Sequence, residues 1–157
     1  MKNFIILLLL TVIATFSSFA QLNTKYYLDN KAAKKIMAAA LAFAKENNSP
    51  GGSIAIVDES GSLVLLEKLD NTFSKASEVS ISKAQTAVLF KKETKFFEDK
   101  INSDRVAMLS VGVNMLKGGV PIFYKGQIVG AVGVSGASSA EQDAQIAEAG
   151  AKVDLEK

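Results

Sequence analysis

The chain has 157 residues, 18 basic and 16 acidic, with a formal net charge of +2. So even a balance argues against nucleic acid as the main partner, since phosphate binding wants a clustered basic face. The absence of cysteine and histidine excludes disulfides, thiolate metal sites and a cysteine nucleophile, and it removes the commonest general base and haem ligand.

The chain opens with Met1-Lys2-Asn3, a nearly continuous apolar run from Phe4 to Phe16, and the small-x-small sequence Ser18-Phe19-Ala20. This pattern predicts a signal peptide over residues 1–20, cleaved after Ala20. An uncleaved anchor is the alternative, but the run is short for a span of about 20 residues. No cysteine follows it, so a lipid anchor through cysteine is excluded. The expected product is residues 21–157, a single exported domain, periplasmic or secreted, with no stable membrane anchor.

Leu22 to Leu28 reads as a lead-in and Asp29 as a helix N-cap. Ala33, Ile36, Met37, Ala40, Leu41 and Ala44 then recur at helical spacing, until Asn47-Asn48-Ser49-Pro50-Gly51-Gly52 stops the helix. Ser53 to Val57 and Ser62 to Leu69 form a hairpin around Asp58-Glu59-Ser60-Gly61. A second helix is expected from Lys75 to Lys92. Lys91 to Lys100 reads as a solvated extension anchored by one or both of Phe96 and Phe97.

A short helix capped by Ser103 is expected to run to Val111. Val120 to Tyr124 and Ile128 to Ser135 form a second hairpin across Lys125-Gly126-Gln127. Ser138-x-x-Glu141 is a capping box that opens the final helix. Helices gathered around two hairpins make an α+β domain.

Five blocks carry a resemblance: Ala55-Ile56-Val57-Asp58 with Gly61; the Leu69-Asp70 strand end; Ser82-Lys83-Ala84-x-Thr86-Ala87; Gly118-Gly119-Val120-Pro121-Ile122; and Val129 to Gly136, followed by Asp143 and Ala147-x-Ala149-Gly150. In this order they resemble the GlcG/HbpS family, which includes extracellular haem-binding HbpS-like proteins and the C-terminal domain of PduO-type proteins. The resemblance implies a profilin-like fold, a five-stranded antiparallel sheet flanked by helices, assembled into homo-oligomers. It also implies binding of a tetrapyrrole, haem first and a corrinoid second, for scavenging, buffering or sensing. A small-metabolite or haem-degrading enzyme of the same family is one alternative. A ligand-free structural accessory subunit is the other.

The candidate ligand-binding residues are Lys83, Thr86, Gly118, Gly119, Pro121, Gly133, Ser135 and Gly136. Gly130, Gly133 and Gly136 recur every third residue, so they fall on alternating strand faces. They let helices close on the sheet or leave a flat site open to a ring. Lys83 meets an anionic ligand or a helix C-terminus, or snorkels to the surface, and Thr86 beside it faces the ligand or packs. Gly118-Gly119-Val120-Pro121 rims a pocket or an oligomer contact. Ser135 to Ser139 joins a strand to a helix N-terminus that would hold a carboxylate, unless ordinary capping uses those donors.

Met37, Met108, Met115, Tyr26, Tyr27, Tyr124 and Lys83 are the residue types available to an iron, and no spacing selects among them. No catalytic constellation is present: Ser60, Ser62 and Ser110 lack a nucleophile-elbow context. Asp58, Glu59, Glu67 and Asp70 read as turn and strand-end residues.

Overall fold

The structure is a computed structural model, described here for residues 24–156. The predicted signal peptide therefore lies outside the described residues. Helix α1 spans Asn30–Glu46 and starts where expected, with the Asp29 carboxylate accepting from Ala32 N–H at 2.7 Å. Its stripe of Ala33, Ile36, Met37, Ala40 and Ala44 is buried, while Leu41 is only half-buried.

The first hairpin pairs β1 (Ser53–Asp58) with β2 (Leu63–Lys68). Asp58 organises its turn, accepting from the backbone N–H groups of Ser60 and Ser62, each at 2.9 Å, and from the Ser60 hydroxyl at 2.6 Å. Helix α2 covers Ala76–Leu89. The second hairpin pairs β3 (Gly119–Tyr124) with β4 (Gln127–Ser135). Lys125 and Gly126 both take positive φ, 47° and 77°, which suits the twist of a two-residue hairpin loop.

The sheet is antiparallel throughout, in the order β2-β1-β4-β3. Its two faces are dressed differently. Ile54, Ile56, Val120, Ile122, Val132 and Val134 meet α1 and the last helix, α4 (Ala140–Ala151), in the larger core. On the other face Val57 and Ala131 meet Ala84, Ala87 and Val88 of α2. Alternation along β1 and along β4 from Gly130 to Ser135 produces this division, and the irregularity at Val129 resets the alternation nearer the hairpin tip. Most of the large aliphatic side chains of these strands go to one side, while Ser53, Ala55, Ala131, Gly133 and Ser135 go to the other with Val57.

Four expectations are corrected. The described residues form four strands rather than five, although the α+β class and the antiparallel sheet stand. Two features leave no fifth strand. The lead-in is tied down by a side chain, Gln127 accepting from Tyr26 N–H at 3.3 Å and donating to the Thr24 carbonyl at 2.7 Å. The edge strand β3 carries Pro121, which has no N–H, and its pairing with β4 is irregular between Ile122 and Phe123.

The charged stretch after α2 is not a mere extension. It contains helix α3 (Thr94–Asn102), with Phe97 buried beneath it. Ser103 closes that helix instead of opening another, and Val106–Val111 forms a 3-10 helix after it. Finally, the N-cap of α4 is Ser139, whose hydroxyl accepts from Gln142 N–H at 3.1 Å. Gln142 reaches back to Ser138 N–H at 2.9 Å, so the capping box is shifted by one residue. Glu141 is thereby released to pair with Lys117 at 3.2 Å.

Candidate functional site

The residues singled out from the sequence fall into three places. Lys83, Gly118, Gly119 and Gly133 converge where α2 crosses the β3–β4 ladder. Lys83 is buried, donating to the Val134 carbonyl at 2.9 Å and to the Asp143 carboxylate at 3.0 Å. The other oxygen of Asp143 accepts from Ala137 N–H at 3.0 Å. One ion pair thus ties α2, β4 and α4 together, and its members satisfy each other rather than facing solvent.

Glycine is required around this pair by close approach. A Cβ on Gly133 would lie 2.0 Å from the Ser80 carbonyl oxygen, and one on Gly119 would lie 2.3 Å from that of Lys83. Gly118, at φ 120°, passes so near the ammonium that a Cβ would come within 3.0 Å of Nζ. The small residues on this face therefore let the α2 backbone settle on the sheet. Thr86 donates to the Ser82 carbonyl at 3.0 Å within its own helix. Ser135 is buried at the end of β4, and Gly136 turns away at φ 96° against Thr72, Phe73 and Ala76.

Pro121 stands apart from these, in an open cleft of about 650 Å3 that runs along the free edge of β3. Val120, Pro121 and Phe123 supply the strand side. Lys91, Lys92, Glu93 and Phe96 come from the α2–α3 connection and the start of α3. Ala151, Lys152 and Val153 come from the end of α4 on the opposite layer. The cleft exists because β3 is an edge strand while helices from both layers overhang it.

Its chemistry is mixed. Phe96 and Phe123 are 40% and 59% exposed, so both rings are accessible from the cleft. The Lys92 ammonium sits 4.8 Å from the Phe96 ring centroid. A hydrogen bond with Glu148, aided by its charge, raises the pKa of Lys152 and keeps it cationic. Three lysines and one glutamate therefore rim an apolar floor, which is complementary to a flat apolar body bearing negative groups.

The frame around the cleft is held by a residue that spacing alone did not flag. Thr94, fully buried at the first position of α3, accepts from Gly119 N–H at 2.8 Å. It fixes α3 against the start of β3. Phe96, Phe123 and Lys152 were also missed as site residues. The visible signal for the first was an aromatic pair, Phe96-Phe97, in a lysine-rich stretch; the helix turns one ring inward and the other towards the cleft.

A tetrapyrrole can be tested against these residues. The volume lies in the range of about 300–1,000 Å3 usual for ligand pockets. The phenylalanines, Val120, Pro121 and Val153 suit the ring, and the lysines suit its carboxylates. Among the described residues no cluster of three or more Asp or Glu could hold a metal ion on its own.

Comparison with known proteins agrees with this architecture. Residues 28–152 match the family described as "Haem degrading protein HbpS-like". Protein GlcG of Escherichia coli K12 is 42% identical over 115 residues, covering 73% of this chain and 85% of GlcG. A double mutant of Streptomyces reticuli HbpS superposes with a TM-score of 0.73 at 29% identity, over 86% of this chain and 92% of that one. The PduOC:heme complex superposes with a TM-score of 0.70 at 25% identity, over 80% and 93%. On the extent of that family match and the GlcG identity, the chain belongs to the HbpS-like family.

Proposed function

We propose that this protein is an exported binding module for haem or a related carboxylated tetrapyrrole, held in the cleft along the free edge of β3. The observation that carries the reading is the pairing of exposed Phe96 and Phe123 with the Lys91, Lys92 and Lys152 rim in one cleft of suitable size. Family membership and the heme complex of PduOC support the same ligand class. Bound haem would supply a chromophore and a redox-active iron. The chain's own part is to cover the ring with the two phenylalanines and Pro121, and to neutralise the carboxylates with lysines.

Export rests on the apolar run from Phe4 to Phe16 and the Ser18-Phe19-Ala20 junction. Sequencing the N-terminus of protein recovered outside the cytoplasm should begin at Gln21. Self-association is supported by the segment from Val106 to Leu116. There Val106, Leu109, Val111 and Leu116 are each more than half exposed, and apolar side chains gathered in one segment are what a contact between chains would cover. Titration of purified protein with hemin tests the binding role. A saturable Soret shift is expected, and an unshifted spectrum at protein excess would remove the reading. Bleaching of the band under reductant and oxygen would turn the reading to the degradative role named in the family description.

A further inference from the structure

We infer that the β3-edge cleft recognises the carboxylated macrocycle and is indifferent to the metal at its centre. The inference rests on the binding role just proposed and narrows its ligand class. No lining residue is methionine or tyrosine, the attested haem-ligand types this chain possesses. Met37 and Met115 are buried, at 3% and 4% exposure. Tyr26 and Tyr124 stack edge to face on each other at the hairpin tip, 5.0 Å apart, and Tyr27 lines a separate cavity with Leu155.

Inside the cleft the remaining donor atoms are the lysine amines and the Glu93 carboxylate. A protonated ammonium has no lone pair to give a metal, and the hydrogen bond with Glu148 keeps Lys152 in that form. What the cleft offers in quantity is different: aromatic and aliphatic surface for a ring face, and a cationic rim for carboxylates. Both interactions are set by the periphery and the faces of the macrocycle, which a metal-free porphyrin shares with haem. A ligand lacking the carboxylates loses the rim, whereas a ligand lacking iron loses nothing that the cleft supplies.

The test compares four ligands on the purified protein: hemin, metal-free protoporphyrin IX, zinc protoporphyrin IX and protoporphyrin IX dimethyl ester. Absorbance and porphyrin fluorescence give the dissociation constants. The expected result is that the first three agree within about threefold, while the ester binds at least tenfold more weakly. Lys92→Ala and Phe123→Ser should each weaken all three carboxylated ligands by a similar factor, about three- to tenfold, with unchanged circular dichroism. Glu93→Gln should leave their ranking as it is.

Hemin binding at least tenfold more tightly than protoporphyrin IX would overturn the inference while leaving the binding role intact. So would a loss in Glu93→Gln confined to hemin. Undiminished binding in Lys92→Ala and Phe123→Ser would place the ligand elsewhere and also overturn it. Absence of binding by all four would instead overturn the binding role on which it rests.

Discussion

Gly133→Ala adds a single methyl group where β4 meets α2, and its effect can be worked from the contact distances. The new Cβ would stand 2.0 Å from the Ser80 carbonyl oxygen, 2.6 Å from Ala84 N and 2.9 Å from Ala84 Cβ. A carbon normally approaches a carbonyl oxygen to about 3.3 Å, so α2 must retreat by on the order of 1 Å. Two of the three atoms met are backbone, and no rotamer change relieves them. The same retreat lengthens the Lys83–Asp143 contact, now 3.0 Å. Overpacking of this kind costs about 1–3 kcal/mol, and backbone involvement puts this case at the upper end. For a domain of this size, that corresponds to a fall in melting temperature of roughly 10 °C. Thermal unfolding followed by circular dichroism measures it, with Gly126→Ala as the comparison. Gly126 has nothing within 4 Å of the new methyl and suffers only the strain of a φ of 77°, about 1 kcal/mol. If Gly133→Ala melts no lower than Gly126→Ala, the close seat of α2 on the sheet is refuted.

Asp143→Asn removes the counter-charge of a buried ammonium and should cost about 3–5 kcal/mol; adding Lys83→Met should restore most of it, as a two-step denaturation series would show. Thr94→Val strands the buried Gly119 N–H and should cost about 1–3 kcal/mol by urea unfolding. At the first hairpin, burial pushes the Asp58 carboxyl up, but hydrogen bonds from Ser60, Ser62 and Gly61 outweigh it and leave its pKa lowered. A carboxylate with a lowered folded pKa contributes stability that is present above the unfolded value of about 3.9 and is lost as pH falls through the folded one. The melting-temperature gap between wild type and Asp58→Asn should therefore be full at pH 6 and narrow below about pH 4. Leu109→Glu should lower the mass measured by light scattering if the segment from Val106 to Leu116 joins subunits, and leave it unchanged otherwise.

The elements most legible in the sequence were those whose signals are local. Asp29 before an alanine stripe gave α1, and the turn at Lys125-Gly126 between β-branched runs gave the second hairpin. The α4 cap slipped by one residue because Ser138 and Ser139 are adjacent and both Glu141 and Gln142 can close a box. The tertiary contacts separate the two choices: Glu141 pairs with Lys117, and Gln142 donates to the Asn47 carbonyl at 3.0 Å. The stretch from Lys91 to Val111 was misdivided for a similar reason. Its helix is fixed by Thr94 and Phe97 contacting other elements, which no spacing rule contains. The glycines at 118, 119 and 133 were visible from the start, yet their role depended on how near α2 lies. The cleft was the least legible feature, since its walls come from β3, the α2–α3 connection and the end of α4.

The link from Lys83 across to Asp143 spans 60 positions of the chain. A polypeptide cut short between the end of β4 and the last helix would carry the Lys83 ammonium against the sheet with no anion opposite it. Such a fragment could not hide its incompleteness in a nearly native shape, because the missing charge would keep α2 from closing on the sheet. Proteases that clear loose chains would then see the copies that lack Asp143.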